Sequence, residues 1–197
     1  MEMKKIQKHL KKALDKERYE HTLGVMYTAA ALAMAHDCDL QKAQLAGLLH
    51  DCAKCIPNDE KIRLCALNNI EITPQEQSTP FLLHAKLGAF MAKEIYKVKD
   101  NDILHAILVH TTGAPRMSVL DKIVYVADYI EPQRDRAPDL VAIRKLAFQN
   151  LDDAMLKILS NTLRYLEYHK SSIDPATSAT YEYLKNELRF VGGFSNE

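Results

Sequence analysis

Apolar residues recur along the chain at spacings of three and four, and long alternating stretches are missing. Near 17–37, Val25, Thr28 and Leu32 fall beneath His21 on one helical face; near 101–111, Ile103, Ala106 and Ile107 share a stripe with His110. The pattern predicts about nine helices. They lie near 3–14, 17–37, 40–53, 58–68, 74–97, 101–111, 118–130, 151–169 and 175–189, with a tenth if the short segment near 139–148 stands alone.

Several boundaries carry a mechanism. Thr73-Pro74-Gln75-Glu76 sets a hydroxyl cap, a proline at the first helical position and a carboxylate at the third. Ser118 with Asp121 repeats that box with a shorter carboxylate, and Asp39 and Asp100 cap apolar-periodic runs. Gly113, Ala114 and Pro115 close the helix carrying His110, and Pro132 stops the one carrying Asp128. Gly24 and Gly47 mark tight helix crossings, and Gly88 allows a close approach. The charged stretch 131–139 is too short for a domain linker. The expectation is one all-α domain over 1–197, with a core near 17–135 and C-terminal helices near 139–190 packed on it. The tail from Gly192 to Glu197 is expected to fray.

Composition narrows the class. Ala (22) and Leu (25) against 8 Val favour helices over sheets. Lys plus Arg and Asp plus Glu are 26 each, which argues against a surface built to grip a nucleic acid polymer or an anionic membrane. No apolar run is long enough to span a bilayer. The start, Met1-Glu2-Met3-Lys4-Lys5, leads into a charged amphipathic run rather than a signal-peptide core. Cys38, Cys52, Cys55 and Cys65 make no disulfide framework, so a reducing, cytoplasmic setting is expected.

His50-Asp51 ends an otherwise small and apolar helix, Ala43 to Leu49. A buried carboxylate there needs a partner, either Lys54 or a metal that also uses the imidazole. Further candidates arrive on inward faces: His21, His84, His110, and Asp128 within an apolar run. Core histidines with one hydrogen bond each are the plain alternative, but two inward carboxylates beside them are harder to explain so. Four imidazoles and two carboxylates suit iron, manganese or zinc, and six side chains are too many for one open tetrahedral zinc. They suit two octahedral ions sharing a carboxylate.

The series H…HD…H…H…D resembles the HD-domain metal-dependent phosphohydrolases. Longer strings narrow it: Leu49-His50-Asp51-Cys52-Ala53-Lys54, His110-Thr111-Thr112-Gly113 and Ala127-Asp128-Tyr129-Ile130-Glu131-Pro132-Gln133-Arg134. With Arg18-Tyr19-Glu20-His21-Thr22 and the stretches from His84 to Ala89 and from Met117 to Ile123, they resemble the YqeK family of bacterial symmetrical diadenosine tetraphosphate hydrolases. The resemblance implies an HD-domain helical bundle, a homodimer, and a dinuclear centre with iron as first choice and manganese or zinc as alternatives. It implies that His21, His50, Asp51 and Asp128 hold one metal, and that Asp51 bridges to a second completed by His84 and His110. The implied reaction splits a dinucleoside polyphosphate at its middle into two ADP, by water attacking a central phosphorus in line.

Asp51, Lys54 and Arg134 are the expected catalytic residues. Lys54 shares a face with His50 and is the first candidate for a phosphate contact, with Arg134 at the mouth of the site and Arg18 one turn before His21. Surface ion pairing is the alternative for all three. Glu131 is read as orienting Arg134, accepting from a sugar or aiding proton transfer. Thr112 either caps its turn or touches phosphate.

Other features carry less. Cys52-Ala53-Lys54-Cys55 has redox spacing but closes a helix instead of opening one, so structural thiols are expected. His105 lies about 140° around the helix from His110 and faces elsewhere. His9, His36 and His169 are read as surface residues, and Tyr165, Tyr168, Tyr181 and Tyr183 as core or dimer-surface aromatics. The rival readings are another HD-domain nucleotide phosphohydrolase (nucleotidase, deoxynucleotide triphosphohydrolase or cyclic-nucleotide phosphodiesterase) and a non-enzymatic metal-stabilised module.

Overall fold

The computed structural model describes residues 2–192, and side chains through Arg189. Gly193–Glu197, most of the tail expected to fray, lie outside the described residues, while Gly192 ends the last helix. Among the described residues eleven helices follow in order: α1 (Met3–Ala13), α2 (Lys16–Ala35), α3 (Leu40–Leu49), α4 (Asn58–Leu67), α5 (Pro74–Ser78), α6 (Leu83–Glu94), α7 (Asn101–Val109), α8 (Val119–Ile130), α9 (Leu140–Ala147), α10 (Leu151–Tyr168) and α11 (Pro175–Gly192). A 3-10 turn, Pro80–Leu82, precedes α6. Among the described residues there is no strand, and no helix is long and apolar enough to cross a membrane.

Capping follows the chemistry of the boundary residues. Asp39 accepts from the amides of Gln41 and Lys42, Asp100 from those of Asp102 and Ile103, and both capping boxes close, Thr73 with Glu76 and Ser118 with Asp121. Asp15 caps α2 by accepting from the Arg18 amide at 2.7 Å, a boundary the pattern alone did not mark.

Two expected helices are shorter than predicted. The segment near 74–97 breaks because Pro80 has no amide to donate and its ring excludes a continuous helix. The segment near 40–53 stops at Leu49, and residues 50–56 run on through three-residue bonds such as Lys54 N–H to Asp51 O, 2.9 Å. There the His50 ring donates to the Gly47 carbonyl, the acceptor a continuing helix needs for the Asp51 amide.

α2 and α3 pack closely because Gly47 faces α2, where a Cβ would stand 3.1 Å from Met26 Cα. At Gly88 a Cβ would meet only ordinary contacts, so the close approach expected there is not required. One hydrophobic cluster runs from Ile6 on α1 through α2, α3, α7, α8 and α10 to Leu184 on α11. A smaller cluster, Ala53, Cys65, Leu83 and Leu87, lies between α4 and α6. Asp51 stands in the turn between these two cores.

Candidate metal centre

Asp51 is buried, and its two oxygens face different partners. Oδ2 lies 3.5 Å from His50 Nε2 and 3.9 Å from His21 Nε2; Oδ1 lies 3.2 Å from His84 Nε2 and 3.5 Å from His110 Nε2. Asp128 Oδ1 closes the first group, 3.0 Å from His21 Nε2 and 3.9 Å from His50 Nε2. All six expected side chains therefore meet in one place, drawn from α2, the α3 and α7 ends, the α6 start and α8.

The histidines are turned by their other ring nitrogen. His50 Nδ1 meets the Gly47 carbonyl at 2.7 Å, and His84 and His110 Nδ1 meet those of Phe81 and Ile107 at 2.6 Å. His21 Nδ1 instead meets Glu131 Oε1 at 3.0 Å. Each acceptor fixes a proton on Nδ1, so every Nε2 presents a lone pair to the centre.

Lone pairs facing one another demand a cation. His84 Nε2 and His110 Nε2 are 3.2 Å apart, and His21 Nε2 faces Asp128 Oδ1. His21 Nε2, His50 Nε2 and Asp51 Oδ1 are buried without a hydrogen-bond partner. Octahedral bonds of about 2.1 Å give ligand-to-ligand edges of about 3 Å, comparable with the shortest of these separations. Triads able to hold an ion are His21–His50–Asp51, His50–His110–Asp128 and Asp51–His84–His110. The residues fit a paired metal site.

The charges fit it as well. Burial pushes Asp51 up, but the imidazoles of His50, His110 and His84 that face it hold its carboxyl well below the ordinary carboxylate value. Burial likewise opposes Asp128, yet the neighbouring His21 and His50 rings and the Arg134 guanidinium hold it low. Burial brings the His84 imidazole down to about 4, leaving it neutral and able to donate a lone pair.

The cations expected nearby are in place. Arg18 Nη1 reaches Asp51 Oδ2 at 2.7 Å, Arg134 Nη2 reaches Asp128 Oδ1 at 2.9 Å, and Lys54 Nζ lies 3.1 Å from His84 Nε2. One expectation needs correction. Glu131 is 1% exposed and sits behind His21, its second oxygen accepting from the Gln133 amide; it does not orient Arg134 or stand free for a sugar. Gly24 makes room for that carboxylate, since a Cβ there would collide with Glu131 Oε2. Thr112 turns its hydroxyl to the Gly113 carbonyl, in line with the first of its two readings, while the Thr111 hydroxyl stands 3.1 Å from both His84 and His110 Nε2. Only the adjacency of Thr111 to His110 signalled this in the sequence, and nothing local signalled a pair 110 residues apart.

His105 does face away, 3.0 Å from Asp121 Oδ2. His36 is not a plain surface residue, since its ring meets the Ala147 carbonyl at 2.6 Å and ties α2 to α9. Burial raises the Cys52 thiol to about 12 and also raises Cys55, and all four cysteines are free, so this CxxC is no redox pair.

Two cavities flank the centre. One, of about 410 Å³, is lined by Arg18, His21, Glu131, Arg134 and Arg136 among others. The other, of about 590 Å³, is mostly apolar and runs from Thr111 past Leu108, Ala85 and Leu82 to Pro175.

Comparison with known proteins agrees with this geometry. The HD-domain family model matches residues 18–133. The class is thus an HD-domain protein, with the metal-binding histidines and aspartates in place. The symmetrical bis(5'-nucleosyl)-tetraphosphatase of Bacillus subtilis is 39% identical over 175 residues, 89% of this chain and 93% of that protein. Its counterpart from Halalkalibacterium halodurans is 40% identical, covering 91% and 95%. A crystal structure from Clostridium acetobutylicum, described as a predicted HD superfamily hydrolase involved in NAD metabolism, superposes with a TM-score of 0.92 at 37% identity, covering 95% of this chain and 98% of that one. The chain belongs to the HD-domain family, alongside the YqeK-type symmetrical bis(5'-nucleosyl)-tetraphosphatases.

Proposed function

We propose that this protein hydrolyses diadenosine tetraphosphate, and related dinucleoside polyphosphates, symmetrically, releasing ADP. The observation that carries the reading is the division of Asp51 between two sets of imidazole lone pairs. On this reading His21, His50, Asp51 and Asp128 hold one divalent ion, and Asp51, His84 and His110 a second. Iron is the first choice, with manganese and zinc compatible with the same donors. When bound, paired divalent ions offset charge on phosphoryl oxygens and lower the pKa of water to near neutrality.

The chain's own residues supply positioning. Asp51 keeps its carboxylate ionised at neutral pH and so serves both positions. Glu131 and the backbone carbonyls of Gly47, Phe81 and Ile107 hold the rings in the donating tautomer. Arg18, Lys54 and Arg134 line the approach and neutralise the central phosphates as charge redistributes toward the leaving ADP. The arginine-lined cavity suits phosphates, and the apolar one suits a nucleoside, because burying a base there removes apolar surface from water.

A homodimer is part of the reading. It is supported by exposed Tyr27 and Met34 on α2, Val141 on α9 and Phe148 just past its end, helices whose ends meet through His36 and Ala147. The test is anaerobic loading with ferrous iron, incubation with diadenosine tetraphosphate and chromatography of the products. ADP as the nucleotide product, lost in Asp51→Ala, supports the reading; AMP with ATP, or intact substrate over a loaded centre, refutes it.

A further inference from the structure

The two ligand sets meeting at Asp51 are unequal. Around Oδ2, His21 Nε2, His50 Nε2 and Asp128 Oδ1 converge, giving four donor atoms with the neighbour distances already given. Around Oδ1 there are three: Oδ1 itself, His84 Nε2 and His110 Nε2. The second set also contains its own cation. Lys54 Nζ lies 3.1 Å from His84 Nε2 and 3.6 Å from Asp51 Oδ1, with the Thr111 hydroxyl against both imidazoles.

Hydrogen bonding separates the sets in the same direction. His21 Nε2 and His50 Nε2 are buried without a partner, whereas His84 Nε2 and His110 Nε2 are served by Lys54 and Thr111. Arg18 and Arg134 approach only the carboxylates of the first set and leave its nitrogens open. Glu131 adds a third carboxylate behind His21, while the other three rings have only neutral carbonyls behind them. A carboxylate behind a ligating imidazole increases its donor strength.

We propose that the two metal positions fill in order, the His21–His50–Asp128 position first, and that the Lys54 ammonium is the protein's own competitor for a divalent cation at the His84–His110 position. A ring nitrogen has a single lone pair, so His84 Nε2 cannot bind an ion while it accepts from the Lys54 ammonium, whereas a carboxylate oxygen that accepts from Arg18 or Arg134 keeps a second lone pair. Lys54 must leave for the ion to enter. Its side chain is 31% exposed, and its flexible stem gives it a way out to solvent. Lys54 acts here as a positioning residue that keeps the second position weak and exchangeable.

The inference rests on the paired metal positions of the proposed function and not on its substrate. It is tested by equilibrium dialysis of the metal-free full chain against manganese, with bound metal counted and free ion followed by paramagnetic resonance. Wild type is expected to bind in two separate steps. Lys54→Met should tighten the second by about tenfold or more and leave the first unchanged. Lys54→Arg, which keeps the charge, should leave the second step weak, and His84→Ala should abolish that step alone, with circular dichroism confirming the fold of each. Two equal affinities in wild type, or a second step indifferent to Lys54→Met, would overturn the inference while leaving the paired site intact. Failure of wild type to bind any divalent ion would overturn both this inference and the proposed function.

Discussion

The helices that bring His21, His50 and Asp128 to Asp51 belong to the large hydrophobic core, whereas His84 arrives from the small one. α2, α3 and α8 bury Val25, Leu32, Leu48, Ile123 and Val124 in the large cluster, and their facing surfaces leave little room to shift. His84 rides on α6, which begins after the Pro80 turn and rests Leu83 and Leu87 on Ala53 and Cys65. Local stability follows the apolar area an element buries, so the segment from α4 to α6 opens at lower cost than α2, α3 and α8. The first position thus draws its ligands from the large core, while the second draws His110 from that core and His84 from the smaller one, with Asp51 at the seam.

The sharpest way to break this comparison is at the seam. Asp51→Ala should reduce hydrolysis by about a thousandfold or more, since both positions lose a ligand, while circular dichroism stays native. A variant retaining a tenth of the activity would mean that the two halves work without a shared carboxylate. Next in size are the cores. Leu48→Ala should cost about 2–5 kcal/mol of global stability by urea titration. Leu87→Ala should shift the same midpoint less and instead speed amide exchange across α4–α6; equal midpoint shifts would show one cooperative unit. Smaller again are the two capping boxes, the same motif in different company. Ser118→Ala on α8 should cost about 1 kcal/mol globally, whereas Thr73→Ala on α5 should register mainly as local exchange. Smallest is thiol reactivity: a maleimide should modify Cys55, which is exposed, long before buried Cys52, and comparable rates would place that turn in solvent.

Much of the centre was readable because buried polar residues are conspicuous on apolar helix faces. His21 above Val25 and Leu32 is such a case, and half-buried Asp128 amid Val124, Tyr125 and Ile130 is close to one. What escaped depended on tertiary approach. Glu131 reaches His21 only because α8 crosses α2 where Gly24 leaves space, a pairing that no local periodicity records. Thr111 and Thr112 look alike in the sequence, and the end of α7 decides which of the two adjacent hydroxyls turns inward. The break at Pro80 follows a local rule, a proline without an amide to donate, that the apolar pattern around it masks.

The central claim is that one carboxylate serves two metal positions, and anomalous diffraction from manganese- or iron-loaded crystals tests it most directly. The account predicts two peaks about 3.5–4 Å apart, with Asp51 Oδ2 toward the one at His21 and Oδ1 toward the one at His84. Occupancy should be higher at the first. A fully loaded crystal with a single peak, or with two peaks neither of which Asp51 contacts, would contradict it.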